Sequence, residues 1–263
     1  MTEDGVIRYE AGLQPDFSLD RLHDTGDSIE GGLNVNRFLC DQHGGLYLLR
    51  SPKEASAIKI DIATELSSVG LIDAGGNYSF RSLSEQAQFM DYCRSLDIET
   101  CVPVAYTANG LIVKYVEGVS MDRYLKDGQL DVVTIVLTNV HAAHRKGVVF
   151  GDRWARNTII TDNQRSVEVD FDIALEGECA KDFEIAQLLY HLLHFSPHRT
   201  QLLAIIKDFY SDKERLADYD VERLCGFLER YCAFFGEGEY EGIAGGIASP
   251  VQELVSYFRS HEV

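Results

Sequence analysis

Residues 147–172 read GVVFGDRWARNTIITDNQRSVEVDFD, and this stretch is the most informative part of the chain. It places Asp152, Asn157 and Asp170 on two short polar turns, each of which is joined to an apolar run of β-forming residues. Phosphoryl transfer needs one carboxylate to orient the attacking hydroxyl, and a second carboxylate with a carbonyl oxygen to hold Mg²⁺. The spacing therefore predicts Asp152 in the first role, with Asp170 and Asn157 as metal ligands.

An ordinary Asx-rich turn before a strand would also produce the spacing between Asp152 and Asn157. The flanking segments favour the catalytic interpretation. An amphipathic helix pattern precedes the turn, with apolar residues at 133, 136, 137, 140 and 143, and β-like runs follow at 158–160 and 167–169.

The stretch resembles the catalytic segment of the protein-kinase-like superfamily, with its H-x-x-G-v-x-H-G-D-x-x-x-x-N motif and a later D-F-G or D-F-D. The matching residues are His144, Gly147, Gly151, Asp152, Asn157 and the run Asp170-Phe171-Asp172. The Gly-Asp form is similar to the aminoglycoside phosphotransferase, fructosamine kinase and lipopolysaccharide kinase branches, and Trp154 is similar to the GDLW of fructosamine kinases. Phe150 departs from the motif, which usually has His there. Because that His mainly packs, the departure removes no reacting group.

The resemblance, which covers residues 28–195, implies an α+β, two-lobed protein-kinase-like fold. Its N-terminal lobe, residues 1–115, would hold a small antiparallel β-sheet, and its C-terminal lobe, residues 116–263, would be mostly α-helical. Protein kinases carry a long activation segment and an A-P-E motif after the D-F-G. Here only Ile173 to Lys181 separate Asp172 from the next predicted helix, which favours a small-molecule kinase.

Two β-prone runs, 35–40 and 46–49, predict a hairpin behind the glycine pair Gly31 and Gly32. A glycine pair more often marks an ordinary turn, although it also lets backbone amides approach phosphates. Together with Tyr47-Leu48-Leu49-Arg50, the pair resembles the G-G-x-x-N and y-V-L-R of the aminoglycoside phosphotransferase branch. The resemblance implies that Gly31, Gly32 and Arg50 meet the nucleotide phosphates.

Lys59 competes with Arg50, because Ala57-Ile58-Lys59 looks like the V-A-I-K of protein kinases. Ser51-Pro52-Lys53-Glu54, however, reads as a capping box that opens a helix. We therefore expect Arg50 to be the phosphate-facing base and Lys59 to be exposed on that helix.

The remaining nucleotide contacts are implied by the resemblance. Glu85 lies in the first turn of a predicted helix, where it would either pair with the phosphate-facing base or stabilise the helix dipole. Backbone groups of Tyr115, Val116 and Glu117 would bind adenine. Elsewhere in the chain, the run Ala108-Asn109-Gly110 predicts a turn. Glu237, Glu239 and Glu241 belong to a predicted acidic loop, which is either solvated or contacts a cationic acceptor.

Composition limits the class of partner. With 263 residues and a formal net charge of −18, the chain can bury a sizeable core and lacks the basic balance that general nucleic-acid binding needs. An acidic surface favours cationic substrates, but it can equally keep the protein soluble or reflect a cytoplasm with a high salt concentration. The six cysteines include no C-x-x-C pair, and no apolar run is long enough for a membrane span. We expect a cytoplasmic protein without membrane or nucleic-acid partners, and its oligomeric state stays open.

These observations together predict an ATP-dependent phosphotransferase that phosphorylates a hydroxyl of a small molecule, with ATP and Mg²⁺ as cofactors. Two alternatives remain open from the sequence. One is a compact atypical Ser/Thr protein kinase, and the other is a catalytically silent nucleotide-binding pseudokinase that acts as a regulator.

Overall fold

The first part of the chain forms antiparallel strands in the computed structural model, which describes residues 7–8, 19–54, 56–107, 110–236 and 246–261. The strands up to residue 114 are β1 (Ile7–Arg8), β2 (His23–Glu30), β3 (Asn34–Cys40), β4 (Leu46–Pro52), β5 (Asn77–Phe80), β6 (Pro103–Thr107) and β7 (Gly110–Lys114). All except β5 form one sheet in the order β1-β6-β7-β4-β3-β2. The predicted hairpin is confirmed as β3 and β4.

The sheet contributes to a small apolar core. It consists of Leu39, Tyr47, Val104, Ala105 and Ile112. These side chains come from four neighbouring strands, and in β6 the adjacent residues Val104 and Ala105 are both fully buried.

The prediction of a capping box at residues 51–54 is wrong. Ser51 and Pro52 instead continue β4, where they pair with Val35 and Asn34 of β3. Helix α1 (Ser56–Ser68) begins only at Ser56. Cross-strand pairing has therefore overridden a local helix-start signal, which is worth only about 1 kcal/mol.

Lys59 lies on α1 and is exposed, as the sequence analysis predicts. Its ammonium nitrogen lies 5.1 Å from the centre of the Phe80 ring. The A-I-K segment is therefore helical rather than a strand.

The chain divides into two units. The first comprises the described residues of Met1–Ile62 and Phe80–Val116, and the second comprises those of Ala63–Ser79 and Glu117–Val263. The sequence predicts a single boundary between the two lobes, at residues 115 and 116. In the structure, the segment 63–79 groups with the later residues.

The second unit is mostly helical. After α2 (Leu83–Ser95) of the first unit come α3 (Met121–Lys126), α4 (Val133–Arg145), α5 (Ala180–Phe195), α6 (Arg199–Tyr210), α7 (Lys213–Leu216), α8 (Val221–Phe235) and α9 (Ala248–Ser260). The later strands are β8 (Val119–Ser120), β9 (Thr158–Ile160), β10 (Ser166–Glu168) and β11 (Ile173–Glu176). They form a three-stranded sheet, β10-β9-β8, and a pair of β11 with β5.

Helix α5 is the centre of the second unit. Apart from Lys181, all its residues are buried, which is the pattern of a helix that is covered on every side. Its Phe183 ring meets Phe227 of α8 edge to face, with ring centres 5.1 Å apart. Residues of α5 can therefore act as fixed supports for the loops around them.

The fold is mixed α+β, with a small antiparallel sheet and a helical part. No helix in the described ranges is long and apolar enough to cross a membrane. None of the six cysteines, all of which lie in the described ranges, forms a disulfide bond. Ala108 and Asn109 of the predicted turn, and Glu237, Glu239 and Glu241 of the acidic loop, lie outside the described residues.

Candidate active site

The loop between α4 and β9 holds Asp152 and Asn157 close together. The chain turns at Gly151, whose φ of 118° suits glycine, and residues Ala155–Asn157 form a short 3-10 helix. The side-chain Nδ2 of Asn157 donates to the carbonyl oxygen of Asp152 at 3.0 Å. This bond fixes the side-chain amide of Asn157 and leaves the Oδ1 atom of Asn157 as an acceptor.

Asp170 follows β10 and is brought to the same place by backbone contacts. The amide of Val169 donates to the carbonyl oxygen of Asn157 at 2.9 Å, so the segment before Asp170 runs beside the Asn157 loop. Asp170 itself has a φ of 64°, which is uncommon for a residue with a side chain. Such strained positions concentrate at functional sites, where the surrounding contacts hold them.

Arg153 joins the two loops. Its Nη1 donates to the carbonyl oxygen of Asn157 at 3.3 Å, and its Nη2 donates to the carbonyl oxygens of Val169 at 3.2 Å and Asp170 at 2.9 Å. The side chain is fully buried. One guanidinium therefore holds the backbone of both candidate metal ligands.

The charge of Arg153 is balanced by Glu168, which is equally buried. Nη1 of Arg153 lies 2.9 Å from Oε2 of Glu168, which also accepts from the Thr158 hydroxyl at 2.8 Å. Oε1 of Glu168 accepts from Ser166 at 3.0 Å and from Asn139 at 3.1 Å. Both carboxylate oxygens are satisfied, as a buried ion pair requires if it is to be tolerated.

Phe150, the departure from the family motif, is a packing residue here. It is fully buried, and its ring lies 6.1 Å from that of Phe171. The Arg153 guanidinium lies over both rings, at 5.4 Å from Phe150 and 5.5 Å from Phe171. The aromatic side chain at this position therefore supports Arg153.

Helix α5 holds the start of the loop through Glu184. Its Oε2 accepts from the amide of Gly151 at 2.6 Å, and its Oε1 lies 2.9 Å from Nε2 of His144. Asp182, in the first turn of α5, binds the start of α8 instead, through the Asp220 amide at 3.1 Å and Nε of Arg223 at 2.6 Å.

The Asp152 carboxylate is held by Gln187, also from α5. Nε2 of Gln187 donates to Oδ1 of Asp152 at 2.8 Å and to Oε1 of Glu65 at 3.3 Å. Burial raises the pKa of Asp152 to about 6, with the Arg153 charge opposing the shift and the Asp170 charge adding to it. Burial, with the neighbouring Asp152 charge, raises the pKa of Glu65 to about 7.

Oxygen ligands suit Mg²⁺, and the described residues include no group of three or more His, Cys, Asp and Glu side chains that could hold a metal alone. Asn157 and Asp170 supply an amide oxygen and a carboxylate, which is the donor chemistry of a site that nucleotide phosphates complete. The donor set therefore fits the metal that the sequence predicts.

The expected nucleotide-phosphate residues lie in the first unit. Gly31 and Gly32 connect β2 to β3, and the Gly31 amide donates to the carbonyl oxygen of Asn34 at 2.9 Å. This is the ordinary turn that the sequence left open as an alternative. Arg50 is buried on β4, where it pairs with Asn36 and Leu111 of the flanking strands.

Glu85 forms the capping box of α2. Its carboxylate accepts from the backbone amide and the hydroxyl of Ser82, both at 2.7 Å, and Ser82 caps the Glu85 amide. These hydrogen bonds lower the pKa of Glu85. The structure thus favours the helix-start role of Glu85 over a pairing with the phosphate-facing base.

The expected adenine segment follows β7. The Tyr115 amide donates to the carbonyl oxygen of Leu46 at 3.0 Å, and the Tyr115 ring packs against Phe38 at 5.3 Å. Val116 is the last residue of the first unit, and Glu117 belongs to the second.

Among the residues of this site that sequence reasoning missed are Arg153, Glu168, Gln187 and Glu65. Glu168 carried a signal, since a carboxylate between Val167 and Val169 in a β-like run requires a buried partner. No signal in the sequence pointed to Glu65, because it is 122 positions from Gln187 in the chain.

Comparison with protein-family models gives no match to this chain, and comparison with curated proteins gives none either. Any function assigned to the chain therefore rests on the geometry of its candidate site.

Proposed function

We propose that this chain is an ATP-dependent phosphotransferase with a two-lobed, protein-kinase-like fold, which phosphorylates a hydroxyl of a small molecule in the cytoplasm. The arrangement of Asp152, Asn157 and Asp170 around Arg153 carries the proposal. In this arrangement the Asp152 carboxylate is held by the Gln187 amide. The two candidate oxygen ligands, Asn157 and Asp170, lie on adjoining loops.

Asp152 is the group that orients the acceptor and takes its proton. A general base works best when its pKa is near the working pH, and burial brings the pKa of Asp152 to about 6. At neutral pH the carboxylate is ionised and can accept the proton of a hydroxyl. The hydroxyl oxygen then bonds to the transferred phosphorus, and the bond from phosphorus to the ADP oxygen breaks.

Asn157 and Asp170 are the residues that would hold Mg²⁺. Their backbones are fixed by Arg153, so little movement is needed to present their oxygens. Bound Mg²⁺ would supply neutralisation of the charge on the nucleotide phosphates. The site then needs no covalent intermediate on the protein.

The acceptor site is acidic. Asp152 and Glu65 are bridged by one amide, and the whole chain carries a formal charge of −18. This charge favours a neutral or cationic acceptor over an anionic one.

The proposal is tested by incubating the full chain with Mg²⁺ and ATP labelled in the γ-phosphate, together with a panel of alcohols, sugars and amino alcohols. We expect label in a small-molecule product. ATP binding without any transfer or hydrolysis would indicate a pseudokinase, and label on Ser or Thr of a protein would indicate a protein kinase. Either result would overturn the proposed reaction.

A further inference from the structure

Gln187 has an amide orientation that its neighbours determine. Its side chain is buried, with 1% of its surface exposed, and its Oε1 accepts from the backbone amide of Arg153 at 2.6 Å. An N–H group can only face the oxygen end of an amide. The Nε2 end therefore faces Asp152 and Glu65, and both of its hydrogens have a carboxylate partner.

The same amide separates two carboxylates. Because both hydrogen bonds start at one nitrogen, the two accepting oxygens lie no more than about 6 Å apart. Unscreened carboxylates this close repel each other or share a proton. A neutral group with two donors satisfies one oxygen of each.

Glu65 also accepts a second hydrogen bond. The Tyr231 hydroxyl donates to the same Oε1 at 3.3 Å, and Tyr231 is fully buried on α8. Glu65 thus has a fixed position, and it in turn fixes the second hydrogen of Gln187. The bridge joins α1, α5 and the loop that contains Asp152.

We infer that Gln187 is the positioning residue of the acceptor site: anchored by Arg153 and Glu65, it holds one oxygen of Asp152 so that the other oxygen receives the acceptor hydroxyl. The inference rests on the proposed phosphotransfer. In the part of the chain that the structure describes, Oδ1 of Asp152 is hydrogen-bonded to Gln187, and no hydrogen bond to Oδ2 is found. An acceptor hydroxyl bound at Oδ2 therefore meets a carboxylate that cannot rotate freely, and such orientation supplies a large part of catalysis.

The decisive variant is Gln187→Glu, which keeps the shape of the side chain and an oxygen for the Arg153 amide but removes both donors. We expect kcat to fall about 10²-fold, as for a misplaced reacting group, with the KM for MgATP changed less than about threefold. Gln201→Leu, on the exposed face of α6, is the matched control and should leave kcat unchanged.

The exchange variant Gln187→Glu with Glu65→Gln separates positioning from packing. It restores one amide and one carboxylate across these two positions, so the midpoint of thermal unfolding should return towards that of the wild type. Asp152 still lacks its donor from position 187, and kcat should stay low.

Two results would overturn the inference: a kcat of Gln187→Glu within about twofold of the wild type, or recovery of kcat together with stability in the exchange variant. A wild-type chain that transfers no phosphate at all would instead overturn the proposed function, whatever the unfolding midpoints show. The two failures are therefore distinguishable.

Discussion

Nη2 of Arg153 donates a hydrogen bond to the carbonyl oxygen of Asp170 at 2.9 Å. Asp170 has a φ of 64°, so this bond stabilises a backbone conformation that costs about 1 to 3 kcal/mol for a residue with a side chain. Arg153 directly follows Asp152 in the chain. The candidate base and the candidate metal ligand are therefore connected through a single buried side chain.

Arg153→Met should destabilise the fold strongly. It leaves Glu168 buried without its counter-charge, and breaking a buried pair in this way costs about 3 to 5 kcal/mol. Urea denaturation measures the loss. Lys207→Ala is the matched control, because it breaks an ion pair with Glu253 that is partly exposed and worth less than about 1 kcal/mol. Equal losses in the two variants would show that the Arg153 pair has no special structural role.

Glu65→Gln should stabilise the protein at alkaline but not at acidic pH. The folded protein holds the pKa of Glu65 at about 7, above its ordinary value of 4.5, so the folded state binds more protons between these values. The free energy of unfolding of the wild-type protein therefore falls as the pH rises from 4.5 to about 7. The variant should gain about 2 to 3 kcal/mol at pH 8 and almost nothing at pH 4.

Denaturation curves at four pH values from 4 to 8 measure this effect. Glu214→Gln changes an exposed side chain on α7 and should give no rise with pH. A Glu65→Gln gain that is constant over the whole range would contradict the assigned pKa shift.

The site was predictable where its residues are close in the chain. Asp152 and Asn157 share one loop, and Asp170 follows a strand that is paired with the preceding one, so a local motif with two β-runs brings them together. Glu65 and Gln187 meet only because the end of α1 that contains Glu65 belongs to the same unit as α5. No period or motif in a single sequence encodes such a contact.

The fold shows the same limit at α1. Ser51 to Glu54 carried good helix-start residues, yet Ser51 and Pro52 lie in β4 because β3 offers a continuous row of partners. At α2 the local signal prevailed: Ser82 and Glu85 form a capping box at an exposed helix start where no strand competes. Local propensity thus decided the structure only where tertiary pairing was absent.

Arg50 and Lys59 give opposite predictions for nucleotide affinity. If Arg50 meets the phosphates, Arg50→Ala should weaken MgATP binding by about 1.5 to 3 kcal/mol, as for a charge-assisted contact. Lys59 is exposed on α1 and packs over Phe80, so Lys59→Ala should change binding by less than about 0.5 kcal/mol. Isothermal titration calorimetry measures both, and the reverse ranking would assign the phosphate contact to Lys59.

Removing a candidate metal ligand should raise the Mg²⁺ requirement. Asp170→Asn and Asn157→Ala should each increase the Mg²⁺ concentration for half-maximal turnover at least about tenfold. Asn163→Ala, an exposed amide in the turn between β9 and β10, is the control. Unchanged Mg²⁺ curves in both ligand variants would place the metal elsewhere.

The most direct test of the proposed reaction compares Asp152→Asn with Asp162→Asn in the same MgATP turnover assay, alongside calorimetric measurement of MgATP binding. Asp162 is an exposed carboxylate in the same stretch of sequence. We predict that Asp152→Asn lowers turnover by about 10²- to 10⁴-fold while MgATP affinity stays within about threefold of the wild type, and that Asp162→Asn changes neither. Wild-type turnover in Asp152→Asn would contradict the assignment of Asp152 as the catalytic base.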